Sequence, residues 1–117
     1  MARYVDGFLL AVPKRKLAAY RAIARKAGKV WREHGALEYV EAVLDDAPKF
    51  GIPFPKAAKA KAGEVVIFSW IVYKSRAHRN AVNKKVMSDP RLQMDPASMP
   101  FDVKRMSMAG FRTLVDL

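Results

Sequence analysis

The segment Glu64-Val-Val-Ile-Phe-Ser-Trp-Ile-Val-Tyr73 constrains the fold more than any other part of the chain. It is rich in β-branched and aromatic residues and apolar on both parities of a strand. Val65, Ile67 and Ile71 point one way; Val66, Phe68, Trp70 and Val72 point the other. Such a strand needs cover on both faces. One layer of helices covers one face, and the other is left for a second copy of the chain.

The remaining residues supply that single layer. With 117 residues, 51% of them apolar, there is room for one domain over 1–117. Residues 4–12 predict a first strand, ended by Pro13, which also suits the first turn of a helix. Within 14–34, Leu17, Tyr20, Ala24, Ala27 and Trp31 recur three or four apart, flanked by Ile23 and Val30. That spacing predicts an amphipathic helix, and Gly35 is its stop. Gly28 inside it points to close packing there. Residues 36–45 read as a second strand. The stretch 46–63 carries Pro48, Gly51, Pro53 and Pro55 and predicts a long loop or lid.

After the third strand, Ser75 is placed to cap a helix over 76–87, with His78, Ala81, Val82 and Val86 as its inward stripe. Asp89 and Pro90 predict a short helical turn at 91–94, and 104–113 predicts a fourth strand. The order strand, helix, strand, strand, helix, strand is the split pattern of an α+β, ferredoxin-like fold. Right-handed crossovers place both helices on one face of a four-stranded antiparallel sheet. Pairing two such sheets face to face would bury roughly 800 Å² per partner, enough for a stable C2 homodimer.

Composition narrows the chemistry. The chain has no cysteine, which excludes disulfides, thiolate metal sites and a cysteine nucleophile and fits a cytoplasmic location. No signal-like segment precedes the first strand. The longest apolar run falls well short of the ~20 residues that span a bilayer. Lys and Arg number 22 against 11 Asp and Glu, a formal charge of +11 that favours anionic partners. No glycine-rich phosphate loop is present.

Several blocks carry a resemblance: Tyr4-Val-Asp-Gly-Phe8, Phe68-Ser-Trp-Ile71, Met87-Ser-Asp-Pro-Arg91, Ser98-Met-Pro-Phe-Asp102, Lys104-Arg-Met106 and Gly110-Phe111. In order and spacing the chain resembles the YbaA-like bacterial family, known as domain of unknown function number 1428. The resemblance implies the dimeric α/β-barrel superfamily, in which two ferredoxin-like sheets close into one barrel. It implies no established activity. Some members carry a label tied to signal-recognition-particle RNA, which nothing in these residues supports specifically.

The candidate site residues are few. His78 lies on an apolar helix stripe, where a semi-buried structural histidine competes with a proton-transfer role. Asp6 stands inside the first strand, where a carboxylate is unusual; a pair with Arg112 competes with a general base. Trp70 should fall across from Gly7, as a packing solution or a pocket wall. Arg105 pairs with Asp102 on the surface or holds a ligand carboxylate. Glu41 in the second strand has the same ambiguity as Asp6, a solvated edge position set against a general base in the cleft. His34 sits at a helix end, where a cation suits the dipole. Met94, Met99, Met106 and Met108 read as adaptable core. Two histidines without a nearby second ligand do not make a zinc site.

The sequence therefore supports a cytoplasmic homodimer that binds a small molecule between sheet and helices, with enzyme activity left open. No cofactor, metal or membrane is expected. The alternative is an RNA-associated protein using the basic face of helix 14–34, where eight basic residues stand against one acid.

Overall fold

The computed structural model describes residues 2–117. Strand β1 (Tyr4–Pro13) leads through a tight turn at Lys14–Lys16 into helix α1 (Leu17–Glu33). Strand β2 (Glu38–Val43) follows, then a loop holding the one-turn helix α2 (Phe54–Ala57). Strand β3 (Glu64–Tyr73), helix α3 (Arg76–Met87) and strand β4 (Ser107–Arg112) complete the chain. The strands lie in the order β2-β3-β1-β4, all neighbours antiparallel. This is the ferredoxin-like arrangement expected from the sequence. Within one chain the sheet is open, with β2 and β4 as free edges.

The register assigns every side chain to a face. Tyr4, Asp6, Phe8, Leu10 and Val12 of β1 stand beside Tyr73, Ile71, Ser69, Ile67 and Val65 of β3. These face the helices. One core cluster joins Leu10, Val12 and Ile67 to Tyr20 and Ala24 of α1; a second joins Ile71 and Tyr73 to Val30, Val82 and Val86. Ser75 caps α3 as expected, its Oγ accepting the His78 amide at 3.1 Å.

The opposite face carries Val5, Leu9, Val40, Phe68, Trp70 and Phe111, and no long helix lies on it. Phe68 is 46% and Phe111 57% exposed, large values for aromatic rings on strands. Part of this face is covered: Phe54 of α2 meets Phe68 edge to face at 6.1 Å between ring centres, and Ala11, Val66 and Val72 are buried within the chain. The 46–63 segment thus packs on the open face. It does not close the space between sheet and helices as a lid there would.

One strand bound and one helix face differ from the sequence reading for local reasons. The fourth strand begins at Ser107 because Asp102 accepts the Lys104 amide at 3.0 Å and caps a tight turn at Val103–Arg105. Ala81 is exposed, and the inward stripe of α3 runs through Arg79, Val82, Asn83 and Val86 instead. Two polar side chains therefore enter the layer between helices and sheet.

Candidate functional site

That layer holds a buried polar cluster at one end and a cavity at the other, with Trp31 between them. The cluster begins with Asp6, which is 1% exposed and lies between Ile71 and Gly110 in the sheet. Its charge partner is Arg79 of α3, with Nη1 3.7 Å from Oδ1. Arg112 is instead paired in register with Tyr4 and is exposed, so the expected Asp6–Arg112 pair does not form. Register explains it: the helix-facing parity of β4 puts Gly110, without a side chain, beside Asp6.

Gly110 matters for a second reason. The Tyr4 ring occupies the space a Cβ would take there. Tyr4 in turn accepts a hydrogen bond from Arg79 Nη2 at 3.2 Å, and the guanidinium carbon stands 5.0 Å from the ring centre. Behind Asp6, the Trp31 indole donates to Tyr73 Oη at 3.1 Å and to Asn83 Oδ1 at 3.2 Å. Tyr73 also donates to Asn83 at 3.2 Å. The network is incomplete: Asp6 Oδ1 and Arg79 Nε are buried without a hydrogen-bond partner. Burial pushes the Asp6 carboxyl above the ordinary carboxylate range, and the Arg79 charge with Asn83 and Tyr73 offsets only part of that. Burial and the Asp6 charge push the Tyr73 phenol up as well.

On the other side of Trp31, α1, the sheet and the segment 99–106 enclose a cavity of about 240 Å³. Its walls are largely apolar, with Phe8, Ile23, Ala27, Ile71, Met99, Phe101 and Met106 among them. Four polar groups converge on it. Glu41 and Ser69 stand opposite each other on β2 and β3. Tyr20 donates to Glu41 Oε1 at 2.6 Å and Tyr39 to Oε2 at 2.7 Å. Glu41 is therefore not a solvated edge residue but a half-buried carboxylate clasped by two phenols. Burial, reinforced by the Glu41 charge, pushes both phenols up, so they remain donors at any ordinary pH. The α1 backbone comes close enough for this because residue 28 is glycine. A Cβ there would lie 2.7 Å from the Tyr39 ring.

The four sequence candidates are not brought together. Asp6 is in the cluster. Trp70 contributes to the cavity lining and pairs in register with Gly7, but its ring packs with Phe68 at 5.6 Å on the open face. His78 is at the start of α3, where its Nδ1 accepts the Lys74 amide at 2.9 Å and its ring meets Tyr73 edge to face. In its neutral form the proton then resides on Nε2. His34, at the end of α1, places Nε2 2.9 Å from Asp89, which Arg91 also grips. Among the described residues no group of three or more acidic or histidine side chains is arranged to hold a metal.

Arg105 does not line the cavity, although Val103 and Met106 beside it do. It forms a two-pronged pair with Glu64 at 2.8 and 2.7 Å, donates to the Lys59 carbonyl and touches Asp102 at 3.3 Å. This ties the start of β3 to the turn before β4. Arg105 holds the Glu64 carboxyl down from 4.5 to about 2. A carboxyl whose pKa falls on folding stabilises the fold above its unfolded range, and that contribution is lost as pH drops through the folded value. We expect Arg105→Gln to lower the melting temperature near neutral pH, with the deficit shrinking as pH falls from 4.5 toward about 2. Thermal unfolding followed by circular dichroism across that range checks this; a deficit independent of pH would contradict it.

The residues that reading by pattern missed are Arg79, Asn83 and Tyr73; Glu41 it named, with the solvated edge position preferred. The available signal was Asp6 itself, since a carboxylate inside a covered strand needs a cation from the facing layer.

Comparison with known proteins follows this geometry. The family described as protein of unknown function (DUF1428) matches residues 3–103. The uncharacterized protein YbaA of Escherichia coli K12 is 48% identical over 115 residues, covering 97% of this chain and 98% of the relative. The YbaA of Shigella flexneri matches to the same extent. Among solved structures, a dimeric ferredoxin-like protein from an uncultured marine organism aligns over all of both chains, with TM-score 0.57 and 12% identity. An uncharacterized NIPSNAP domain protein from Burkholderia xenovorans aligns over 92% of this chain and 91% of its own, with TM-score 0.54 and 14% identity. No helix among the described residues is long and apolar enough to cross a membrane.

Proposed function

Because the chain belongs to the DUF1428 family, whose description assigns no activity, we propose a function from its own geometry. It works as a homodimer joined through the open sheet faces, and each subunit binds a small molecule between sheet and helices. The observation that carries this reading is the cavity beside Trp31. A space of about 240 Å³ with mostly apolar walls has one carboxylate, Glu41, fixed by two phenols opposite the Ser69 hydroxyl. Few convergent polar groups in an apolar hollow are the usual make-up of a ligand site. By liquid volume it equals about eight waters, which suits a molecule of roughly one ring. Glu41 selects a ligand that presents a hydrogen-bond donor.

Dimerisation is supported by the open face and by the dimeric ferredoxin-like neighbour, which shares the fold. Asp6 is the group in this layer suited to accept or give a proton. Trp70 joins the open face to the cavity wall. His78 and Arg105 belong to the scaffold: His78 holds the Lys74 amide through Nδ1 and packs its ring on Tyr73, and every Arg105 nitrogen is engaged.

Native mass spectrometry of protein taken directly from its host tests the reading. The expected result is a retained small molecule on each chain. Ala27→Met, which fills the cavity, should remove it, and Glu41→Gln should weaken rebinding by about tenfold, the loss of a charged hydrogen bond. If no molecule is retained, and single-ring hydrogen-bond donors bind neither the natural protein nor Ala27→Met, the cavity is packing space and the reading fails.

A further inference from the structure

A second concavity lies outside the layer, and its chemistry is different. Helix α1 and the free edge of β2 border a groove of about 880 Å³, within the usual range of ligand sites. Its floor is apolar, formed by Ala24, Gly28, Tyr39 and Ile67. The absent side chain at Gly28 both deepens the groove and admits the Tyr39 ring.

One rim is cationic. Arg21, Arg25 and Lys29 follow one another at single-turn spacing, so their charges line up at steps of roughly 6 Å along α1. All three are exposed, and none makes an ion pair among the described residues. The two acids that reach the groove are already engaged. Glu33 pairs with Arg91 at 2.7 Å, and Glu41 is clasped by Tyr20 and Tyr39. The net field on a molecule in the groove is therefore positive, above an apolar floor.

We propose that this groove binds a small anionic amphiphile, its acid head on Arg25 and Lys29 and its apolar body along Ala24, Gly28 and Tyr39. The site opens outside the inner cavity and shares with it the wall formed by Tyr20, Ala24, Tyr39 and Glu41. The geometry also says why the head must be an anion: a neutral chain would leave the rim cations solvated and gain only the floor. A carboxylate and a phosphate meet the same requirement, since both accept charged hydrogen bonds from arginine and lysine.

The test uses the full chain and four ten-carbon probes, each below its micelle concentration. Decanoate and decyl phosphate carry anionic heads; decanol is neutral and decyltrimethylammonium is cationic. Calorimetry gives the affinities, and amide chemical shifts locate the bound probe. The expected result is that one or both anions bind about tenfold or more tightly than decanol, with shifts confined to α1 and β2. Binding of one anion alone identifies the head as carboxylate or phosphate. Arg25→Gln with Lys29→Gln removes two exposed groups that hold nothing in the fold. It should weaken anion binding about tenfold or more while leaving decanol unchanged. Equal affinity for decanol and decanoate, no effect of the double variant, or shifts on the open sheet face would each overturn the proposal. So would an RNA oligonucleotide binding through these cations while neither anionic probe does.

Discussion

If copies pair through the open sheet faces, as we propose, Phe111→Lys is expected to give a folded monomer, and Phe68→Lys to do the same independently. Both rings stand half exposed on a sheet face that has no long helix over it, α2 meeting only the corner at Phe68. In a C2 pair each substitution places two lysines in the contact, one from each copy. A buried ammonium without a partner costs several kcal/mol. At ~3 kcal/mol for each chain, the dissociation constant rises by about four orders of magnitude, since each 1.4 kcal/mol is tenfold. Within one chain the same lysine side chains reach water, so far-UV circular dichroism should be unchanged. Light scattering during size-exclusion chromatography reads the outcome. Lys26→Glu, on the exposed side of α1, serves as a control and should leave the dimer intact. If the natural protein runs as a monomer at micromolar concentration, the open face is not an interface between copies. If either phenylalanine variant remains a dimer, copies meet somewhere else.

The elements that could be read from sequence are those where local and tertiary demands agree. Residues 64–73 are apolar on both parities because one face of β3 packs under the helices while Val66 and Val72 on the other are buried as well. Ser75 precedes α3 and supplies the cap that a helix start requires. Trp70 and Gly7 face each other in a register that keeps the apolar parities of β1 and β3 on common faces. The site was less legible, and the reason is physical. Hydrophobic periodicity counts apolar residues, so it turned α3 toward Ala81 and away from Arg79 and Asn83. Yet the buried side of that helix is chosen by Asp6, a charge on another element that needs a cation. Glu41 was misread for a related reason. An acid on an edge strand is normally solvated, and only the approach of α1 at Gly28 brings Tyr20 and Tyr39 around it. The side of the sheet taken by the 46–63 loop depends on Phe54 finding Phe68, a contact that no local pattern reports.

Removing the cation from the buried cluster should be the most destabilising of these changes. Arg79→Met keeps the length and apolar stem of the side chain but leaves the Asp6 carboxylate buried with no positive partner. Breaking one half of a buried pair typically costs about 3–5 kcal/mol, because the other charge stays desolvated. The sign of the pH dependence follows from Asp6. Its folded carboxyl already titrates above the ordinary range because of burial, and loss of Arg79 raises it further. A group that binds its proton more tightly when folded favours the fold at low pH and disfavours it as pH rises through the folded value. The deficit of Arg79→Met should therefore be largest at neutral pH and shrink on acidification, as Asp6 becomes neutral. Asp6→Asn combined with Arg79→Met removes both charges and should recover most of the loss at neutral pH. Asp6→Asn alone leaves Arg79 without its carboxylate, yet that guanidinium is only partly buried and still donates to Tyr4, so its effect should be small. Urea denaturation of the four proteins at two pH values measures all of this. A deficit for Arg79→Met that is the same at both pH values, or a double variant no more stable than the single one, would show that Asp6 is not held charged against its surroundings. The case for Asp6 as the proton-handling group of the layer would end there.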